Sequence, residues 1–291
     1  MKKVLITGID SFTGHHLSSY LETSGYDVYG TSLFKNEANI YQCDITQKDD
    51  ATKVLKTLKP DFLIHLSGIS FAAYGNNEDF YKVNTIGTTN ILDAFIELNL
   101  SPKKIILASS ATIYGNQGLE VLDESLCPKP ANHYGASKYA MECLAEGYFS
   151  KLPIIISRPF NYTGKGQAEN FLIPKIVSHF KEGKKAIELG NLDVIREFND
   201  VEFVCEVYKR LLECDDDSTM VNICSGRGLP LLDVVKMMNN IAGYDIQVKV
   251  NPAFVRKDEI KSLTGSEKKL SQLIGNLEQK PFEETLRSML S

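Results

Sequence analysis

The chain lacks the long apolar run that a membrane-spanning helix requires. Such a helix needs about 18 or more consecutive apolar residues, and no run of the sequence approaches that length. The apolar stretch at the start, from Val4 to Ile6, is also too short for the core of a secretory signal peptide and is better explained as a first strand. We therefore expect a cytoplasmic protein without a membrane partner.

The cysteines and histidines show none of the spacings that mark a disulfide scaffold or a metal site. Six cysteines lie far apart, at positions 43, 127, 143, 205, 214 and 224, and no Cys-x-x-Cys pair occurs. The five histidines have no metal-ligand spacing, and the adjacent His15 and His16 would point to different faces of a helix. This pattern favours buried, reduced thiols and predicts no bound metal.

An excess of positive charge is also missing. The 291 residues carry a formal net charge of -5, with 24% charged and 43% hydrophobic residues. Nucleic acid is therefore not an expected partner, because its binding needs a basic surface. A chain of this length can bury a large core in one large domain or in two unequal domains.

Apolar stretches alternate with helical stretches through the first 160 residues, with predicted strands at 2–7, 27–31, 41–45, 62–66, 104–109 and 152–157. Such alternation forms right-handed βαβ units, so it predicts an α/β fold with a doubly wound parallel sheet of the Rossmann type. Beyond residue 160 the elements become shorter. We expect a dinucleotide-binding domain at 1–160 and a smaller C-terminal α/β lobe at 161–291 that binds substrate, with some segments returning to the Rossmann core.

The first predicted strand ends in a glycine turn that is typical of dinucleotide-binding folds. Gly8 allows the tight turn, and Gly14 lets the following helix pack closely on the strand. Backbone N–H groups at the start of that helix, around Phe12 and Thr13, would face a pyrophosphate. Ser11 stands where a second glycine is common, so an ordinary strand-to-helix turn remains the alternative.

The ends of the next strands hold the other candidates for contacting a cofactor. An acid at the end of the second strand would favour NAD, but this strand ends in Thr31 and Ser32, with Lys35 nearby and no acid. Hydroxyls and a lysine suit a 2'-phosphate, which favours NADP(H) and leaves NAD(H) as the alternative. The remaining candidates follow later strands or begin a long helix predicted at 79–98, and they are Asp44, Ile45, Leu66, Ser67, Gly68 and Asn84.

Tyr134 and Lys138 lie four residues apart, about one turn of a helix, and therefore share one face. A cation beside the Tyr134 hydroxyl would lower its pKa from the usual value of about 10 and make it an acid or base for an alcohol or ketone oxygen. Asn132 is a good N-cap for this helix. The pair by itself also fits one packed tyrosine and one solvated lysine.

Four segments together resemble one enzyme family, the extended short-chain dehydrogenases/reductases that act on nucleotide sugars. They are Thr7-Gly8-x-x-Ser11-Phe12-x-Gly14, Ser110-Ala111-Thr112-Ile113-Tyr114-Gly115, Tyr134-x-x-x-Lys138 and Arg158-Pro159-x-Asn161. The resemblance implies that Tyr134 protonates the C4 oxygen of a sugar as hydride arrives. It also implies that Lys138 lowers the tyrosine pKa and holds the nicotinamide ribose, and that Ser110 orients the oxygen.

The same resemblance leaves some assignments open. Ser109 and Thr112 remain alternatives to Ser110 for the serine role. Pro159 and Phe160 would contact the cofactor.

The C-terminal half is similar to the corresponding part of GDP-4-keto-6-deoxy-D-mannose reductases. The similarity covers 158–167, 190–198 and 221–226, with Asn251-Pro252 and Arg256-Lys257-Asp258-Glu259. It implies that Arg196 and Arg256 bind the diphosphate of a sugar nucleotide, because arginine offers a planar fork to phosphate oxygens. The other candidates for substrate binding are Ser70, Ser110, Asn161, Asn170, Asn191 and Glu259. Lys165 departs from the family pattern, which has proline there.

The resemblance implies NAD(P)H-dependent reduction of the 4-keto group of a nucleotide-linked 4-keto-6-deoxyhexose, with the GDP-linked sugar favoured. A dTDP-linked substrate, a C4 epimerase with tightly bound NAD and a non-catalytic dinucleotide-binding relative remain alternatives. Dehydration is disfavoured, because Ala111 and Thr112 stand where a dehydratase of this family has a carboxylate pair. A homodimer is expected, in which the helices predicted at 79–98 and 134–148 pack into a four-helix bundle.

Overall fold

The computed structural model describes residues 2–71, 75–256 and 259–291; Lys257 and Asp258, which belong to the stretch similar to the reductases, lie outside the described residues. The strands are β1 (Lys3–Thr7), β2 (Asp27–Ser32), β3 (Ile40–Gln42), β4 (Phe62–His65), β5 (Lys104–Ala108), β6 (Ile154–Pro159), β7 (Tyr162–Thr163), β8 (Ala186–Leu189), β9 (Ile195–Glu197), β10 (Asn199–Asp200), β11 (Thr219–Ile223), β12 (Gly228–Pro230), β13 (Gln247–Val250) and β14 (Ser262–Leu263). The α-helices are α1 (Phe12–Thr23), α2 (Lys48–Leu58), α3 (Asn77–Phe80), α4 (Gly87–Glu97), α5 (His133–Glu146), α6 (Leu172–Lys181), α7 (Val201–Glu213), α8 (Leu231–Ala242), α9 (Lys268–Ile274) and α10 (Phe282–Leu290).

The central sheet has seven parallel strands in the order β11-β6-β5-β4-β1-β2-β3. The chain therefore winds outward from β1 in one direction through β2 and β3, and then in the other through β4, β5 and β6. This order confirms the predicted doubly wound fold of the Rossmann type. Ligands of such sheets bind beyond the carboxyl ends of the strands, where the winding direction reverses between β1 and β4.

Helices cover both faces of this sheet because its strands are buried on both sides. On one face α1 and α7 bury side chains such as Leu17 and Val207 against Val4 and Ile6 of β1. On the other face α2, α4 and α5 pack against the side chains that point the opposite way. α5 is thereby fixed against the sheet, and its first turn lies at the carboxyl edge.

Two predicted elements differ from the structure. The third strand ends at Gln42 and not at residue 45, because the Asp44 carboxylate accepts hydrogen bonds from the backbone and hydroxyl of Thr46 and turns the chain. The helix predicted at 79–98 runs from α3 into α4 through a π-helical segment, Tyr81–Ile86. Within this segment Asn84 is fully buried, and its carbonyl accepts a bond from the Thr88 hydroxyl at 2.8 Å.

The C-terminal lobe has its own apolar core. α6, α8 and α10 surround it, and the β8–β13 pair and the three-stranded sheet β12-β9-β14 complete the lobe. β11 lies beyond residue 160 in the chain but forms the edge strand of the central sheet beside β6. The division into domains at residue 160 stays a prediction.

Two surface features concern the expected partners. Ile86 and Leu144 are 49% and 46% exposed, and they lie on the two helices that were predicted to pair in a homodimer. The homodimer stays a prediction. Among the helices of the described ranges, none is both long and apolar enough to cross a membrane.

Candidate active site

The predicted serine and tyrosine meet at the carboxyl edge of the sheet. Ser110 follows β5 and caps a 3-10 turn, Ala111–Tyr114, while Tyr134 stands in the first turn of α5, whose N-cap is Asn132 as predicted. The Thr112 hydroxyl donates to the Ser110 hydroxyl at 2.9 Å. This bond leaves the Ser110 hydrogen free to donate elsewhere, and the choice of Ser110 over Thr112 stays a prediction. Ser109 is buried, and its hydroxyl has no hydrogen-bond partner in the described structure.

Burial raises the pKa of Tyr134 above its usual value, and a hydrogen bond with the Ser110 hydroxyl partly opposes this rise. The sequence led us to expect a lowered pKa, so this expectation is corrected: burial dominates. A phenol with a raised pKa keeps its proton at neutral pH. Tyr134 is therefore suited to give a proton to a substrate oxygen.

Lys138 follows Tyr134 by one turn of α5, and its side chain is buried. Its ammonium group donates to the Ala108 carbonyl at 2.7 Å. Burial lowers the pKa of Lys138 to about 8, while the charge of Glu142, one turn further along α5, raises it. The side chain is therefore cationic at neutral pH and titrates just above it.

The glycine turn has the geometry of a phosphate cradle. Gly8 has a φ of +68°, which favours glycine, and a Cβ on Gly14 would lie 2.5 Å from the carbonyl oxygens of Gly8 and Ile9. The Ser11 hydroxyl accepts from the Gly14 N–H at 3.0 Å and caps α1. The turn fits the pyrophosphate of a dinucleotide, and Ser11 takes a capping role where a glycine was expected.

The loop after β4 is held close to Lys138. The Thr7 hydroxyl accepts from the Leu66 and Ser67 N–H groups, each at 3.1 Å. A Cβ on Gly68 would lie 2.8 Å from the Asn84 amide oxygen and 3.2 Å from the Lys138 ammonium nitrogen. The structure therefore brings these predicted cofactor residues together in one narrow space.

His65 supports this loop from below as a neutral side chain. Its Nδ1 lies 2.7 Å from the Thr7 hydroxyl, and its Nε2 lies 2.9 Å from the Thr88 hydroxyl. Burial, and after it the charge of Lys138, lowers the pKa of His65 to about 3. His65 is thus a core residue that joins β1 to the long helix.

The end of β2, which was predicted to bind the adenosine part of the cofactor, has a neighbour that the sequence did not indicate. Thr31 and Ser32 are buried at the end of β2. The Ser32 hydroxyl donates to the Asp10 carboxylate at 2.6 Å. The strand end itself has no acid, as the sequence indicated, but the glycine turn brings the Asp10 carboxylate to it.

The adenine-contact candidates are partly engaged within the protein. The Asp44 carboxylate is bound by Thr46. Ile45 is buried, and a Cβ on Gly87 would lie 2.7 Å from its Cδ1. Ile45 therefore packs against the long helix.

The segment after β6 contains Pro159 and Phe160, which were predicted to contact the cofactor, and Tyr162, which was not among the predicted site residues. Pro159 ends β6, but the Phe160 ring is 1% exposed and packs near Tyr114, so its side chain belongs to the core. The Tyr162 hydroxyl lies 2.7 Å from the Thr13 hydroxyl, and burial raises the pKa of Tyr162 to about 12. Tyr162 directly follows the Arg158–Asn161 motif, and this position is the signal in the sequence that could have identified it.

Arg196 is already paired inside the lobe. Its Nη2 donates to Glu259 at 2.6 Å and to the Ile260 carbonyl, and its Nη1 donates to the carbonyls of Ile195 and Lys261. Burial lowers the pKa of Arg196, and the charge of Glu259 opposes this. The guanidinium is therefore oriented, and its charge is partly compensated.

The other residues predicted to bind substrate lie outside the helices and strands. The Asn191 amide oxygen accepts from the Arg256 N–H at 2.8 Å and thereby fixes the backbone of that exposed arginine. The Asn161 carbonyl accepts from the Asn199 N–H at 2.9 Å. Ser70 and Asn170 are exposed, and their neighbours Phe71 and Phe171 have ring centroids 5.8 Å apart.

The described residues hold no group of three or more histidine, cysteine or acidic side chains that could bind a metal ion.

The chain is similar to known proteins both in sequence and in structure. Residues 4–224 match the model of the NAD dependent epimerase/dehydratase family. The chain is 38% identical over 275 residues to GDP-6-deoxy-D-talose 4-dehydrogenase of Aggregatibacter actinomycetemcomitans, which covers 94% of this chain and 92% of the relative. It is 29% identical over 301 residues to GDP-6-deoxy-D-mannose reductase of Pseudomonas aeruginosa, which covers 100% of this chain and 96% of the relative. The structure of RMD from Pseudomonas aeruginosa complexed with NADPH superposes with a TM-score of 0.87 at 26% identity, covering 100% and 98% of the two chains.

Proposed function

The chain belongs to the NAD dependent epimerase/dehydratase family, and on that premise we propose that it reduces the 4-keto group of a GDP-linked 4-keto-6-deoxyhexose, or oxidises the C4 alcohol in reverse. The observation that carries the proposal is the hydrogen bond between Tyr134 and Ser110 at the carboxyl edge of the sheet, with the buried Lys138 one helical turn after Tyr134. These are the groups that a proton transfer at an alcohol or ketone oxygen requires.

Each of the three side chains has a role in this proposal. A bound nicotinamide dinucleotide supplies the hydride. Tyr134 gives its proton to the C4 oxygen, for which its raised pKa suits it, and Ser110 donates a hydrogen bond that orients the same oxygen. Lys138 stabilises the phenolate that remains and binds the nicotinamide ribose. The position of these groups around one carbonyl lowers the entropic cost of the reaction.

The cofactor would lie along the carboxyl edge of the sheet. Gly8 and Gly14 make room for its pyrophosphate, and the loop at Gly68 lies beside Lys138. The sequence expectation of NADP(H) rested on the hydroxyls at the end of β2, and the Pseudomonas relative was solved with NADPH. The Asp10 carboxylate weighs against that preference.

The GDP-linked substrate is supported by the two curated relatives, whose names both specify GDP sugars. Arg256 and the oriented Arg196 would bind the diphosphate from the lobe side. The two relatives make sugars that differ in configuration at C4. The higher identity to the talose enzyme favours 6-deoxytalose as the reduced product.

The test follows the absorbance of reduced nicotinamide with GDP-4-keto-6-deoxymannose and, in parallel, with the dTDP-linked counterpart derived from glucose. We expect stoichiometric oxidation with the GDP sugar, and sugar analysis of the product then gives its configuration at C4. If reduced nicotinamide is oxidised only with the dTDP sugar, the substrate carries dTDP and not GDP. No oxidation with either, together with NAD released on denaturation, would identify an epimerase instead.

A further inference from the structure

The hydrogen bonds at the end of β2 engage the Ser32 hydroxyl and two backbone N–H groups within the protein, so that the Lys35 ammonium group is the donor left there for a phosphate. The Ser32 hydroxyl has one hydrogen, and it points to the Asp10 carboxylate at 2.6 Å. The Ser32 oxygen in turn accepts from the N–H groups of Phe34 and Lys35, at 3.1 and 3.0 Å. The hydroxyl and both N–H groups, which would otherwise suit a 2'-phosphate, are therefore all used within the protein.

The Asp10 carboxylate has the opposite character. It accepts one bond from Ser32 and keeps lone pairs for further donors. The end of the second strand in this fold lies next to the adenosine ribose, where a carboxylate binds the 2'-hydroxyl of NAD. Asp10 comes from the turn between β1 and α1 and not from β2, but it reaches the same place.

The surrounding charge also disfavours a phosphate. A groove of about 280 Å³ opens beside Asp10, between α1 and the β2–β3 connection. Its charged and titratable lining residues are Asp10, Glu22, Glu37, Lys35 and His15. Three carboxylates thus face one lysine and one histidine, whereas a 2'-phosphate would add a charge of about -1.5 to -2.

We propose that Asp10 is a specificity-determining residue that selects NAD(H) over NADP(H). The inference rests on the proposed function only in that a nicotinamide dinucleotide is the cofactor. It reverses the preference for NADP(H) that the residues of β2 suggested. The acid that selects the cofactor is contributed by the glycine turn.

The test measures the Kd of NADH and of NADPH by fluorescence titration, without any sugar. We expect the wild-type protein to bind NADH about tenfold or more tightly than NADPH, as the loss of a charged hydrogen bond implies. Asp10→Asn keeps the size of the side chain and an acceptor for Ser32 but removes the charge. It should raise the Kd of NADH about tenfold and lower the Kd of NADPH. The ratio of the two Kd values should then approach 1 or invert.

Asp27→Asn is the matched control. Asp27 lies at the opposite end of the same strand and accepts from the Tyr29 hydroxyl at 3.1 Å, so the same charge is removed away from the carboxyl edge. Its two Kd values should match those of the wild type. Wild-type protein that binds NADPH as tightly as NADH would overturn the inference, as would an Asp10→Asn variant that changes both Kd values equally.

The two proposals can fail separately. Tight NADH binding without turnover of any 4-keto sugar would refute the proposed reaction and leave the role of Asp10 intact. Turnover with NADPH at a higher kcat/KM than with NADH would confirm the reaction and refute the role of Asp10. Binding of neither cofactor would refute both.

Discussion

Two arginine–glutamate pairs in this molecule look alike in sequence but differ in their surroundings. Arg158 and Glu142 have side chains 3% and 0% exposed, and the pair joins β6 to α5. Arg196 and Glu259 have side chains 10% and 23% exposed, and the pair joins β9 to a loop of the lobe. The first pair is sealed in the core, whereas the second is less deeply buried and is partly exposed through Glu259.

The contacts of the two arginines show the same difference. Arg158 donates to Glu142 through Nε and Nη2 and to the Tyr114 hydroxyl through Nη1, so side chains satisfy it. Arg196 has one bond to a carboxylate and otherwise donates to backbone carbonyls. The Arg158–Glu142 pair fixes the helix that carries Tyr134, whereas the binding of a substrate phosphate at Arg196 stays a prediction.

Breaking the sealed pair should have the largest effect. Glu142→Gln leaves a buried arginine without its counter-charge, which costs about 3–5 kcal/mol of the free energy of unfolding. Glu259→Gln makes the same change in the less deeply buried pair and should cost less, because Arg196 keeps its bonds to three backbone carbonyls and Glu259 is partly exposed. Denaturant unfolding of both variants measures the difference, and equal losses would contradict the distinction.

The second prediction tests Tyr134 as the proton donor, separately from the stability that the Arg158–Glu142 pair contributes. Tyr134→Phe should lower kcat about 10³-fold, because the proton donor is lost, while the Kd of the cofactor and the free energy of unfolding stay close to the wild type. Tyr139→Phe, on the same helix, is the control and should keep its activity. Full activity in Tyr134→Phe would rule out this tyrosine as the acid.

The third prediction concerns the less deeply buried pair, Arg196 and Glu259, and the exposed Arg256. Glu259 partly compensates Arg196, so the exposed Arg256 should carry much of the attraction for the diphosphate. Arg256→Ala should raise KM for the sugar nucleotide about tenfold with little change in kcat, since the contact is equal in the ground and transition states. Arg287→Ala, which removes an exposed arginine paired with Glu283, should leave KM unchanged.

The smallest effect is a pH dependence that links the sealed pair to catalysis. Lys138 is cationic below its pKa of about 8, so kcat/KM for reduction should be constant at lower pH and fall to half near that value as the proton is lost. Tyr134 keeps its proton in this range because burial raises its pKa. Lys138→Arg keeps the charge and should remove the inflection, and a wild-type profile that stays flat past pH 9 would show that the charge is not needed.

Glu142 gives this profile a second check. Its charge raises the pKa of Lys138, so the inflection should move to lower pH in Glu142→Gln. An unchanged inflection in a folded variant would assign the titration to another group.

Much of the fold could be predicted because its signals are local. The helix predicted from Tyr134 begins at His133 with Asn132 as its cap, since capping and helical spacing depend on near neighbours in sequence. The strand predicted to end at residue 45 was wrong because a side chain of Asp44 competes with the ladder. The ring of Phe160 turns toward the core, which the sequence did not indicate, and its contact with the cofactor stays a prediction.

The sequence by itself determined the alternation of strands and helices, the glycine turn, and the common helical face of Tyr134 and Lys138. These follow from periodicity, backbone conformation and capping, which act over a few residues. Tertiary structure decided that Asp10 reaches Ser32, that Tyr162 meets Thr13, and that one arginine–glutamate pair is fully buried while the other is partly exposed. Such contacts depend on strand order and packing between distant segments, and no local pattern encodes them.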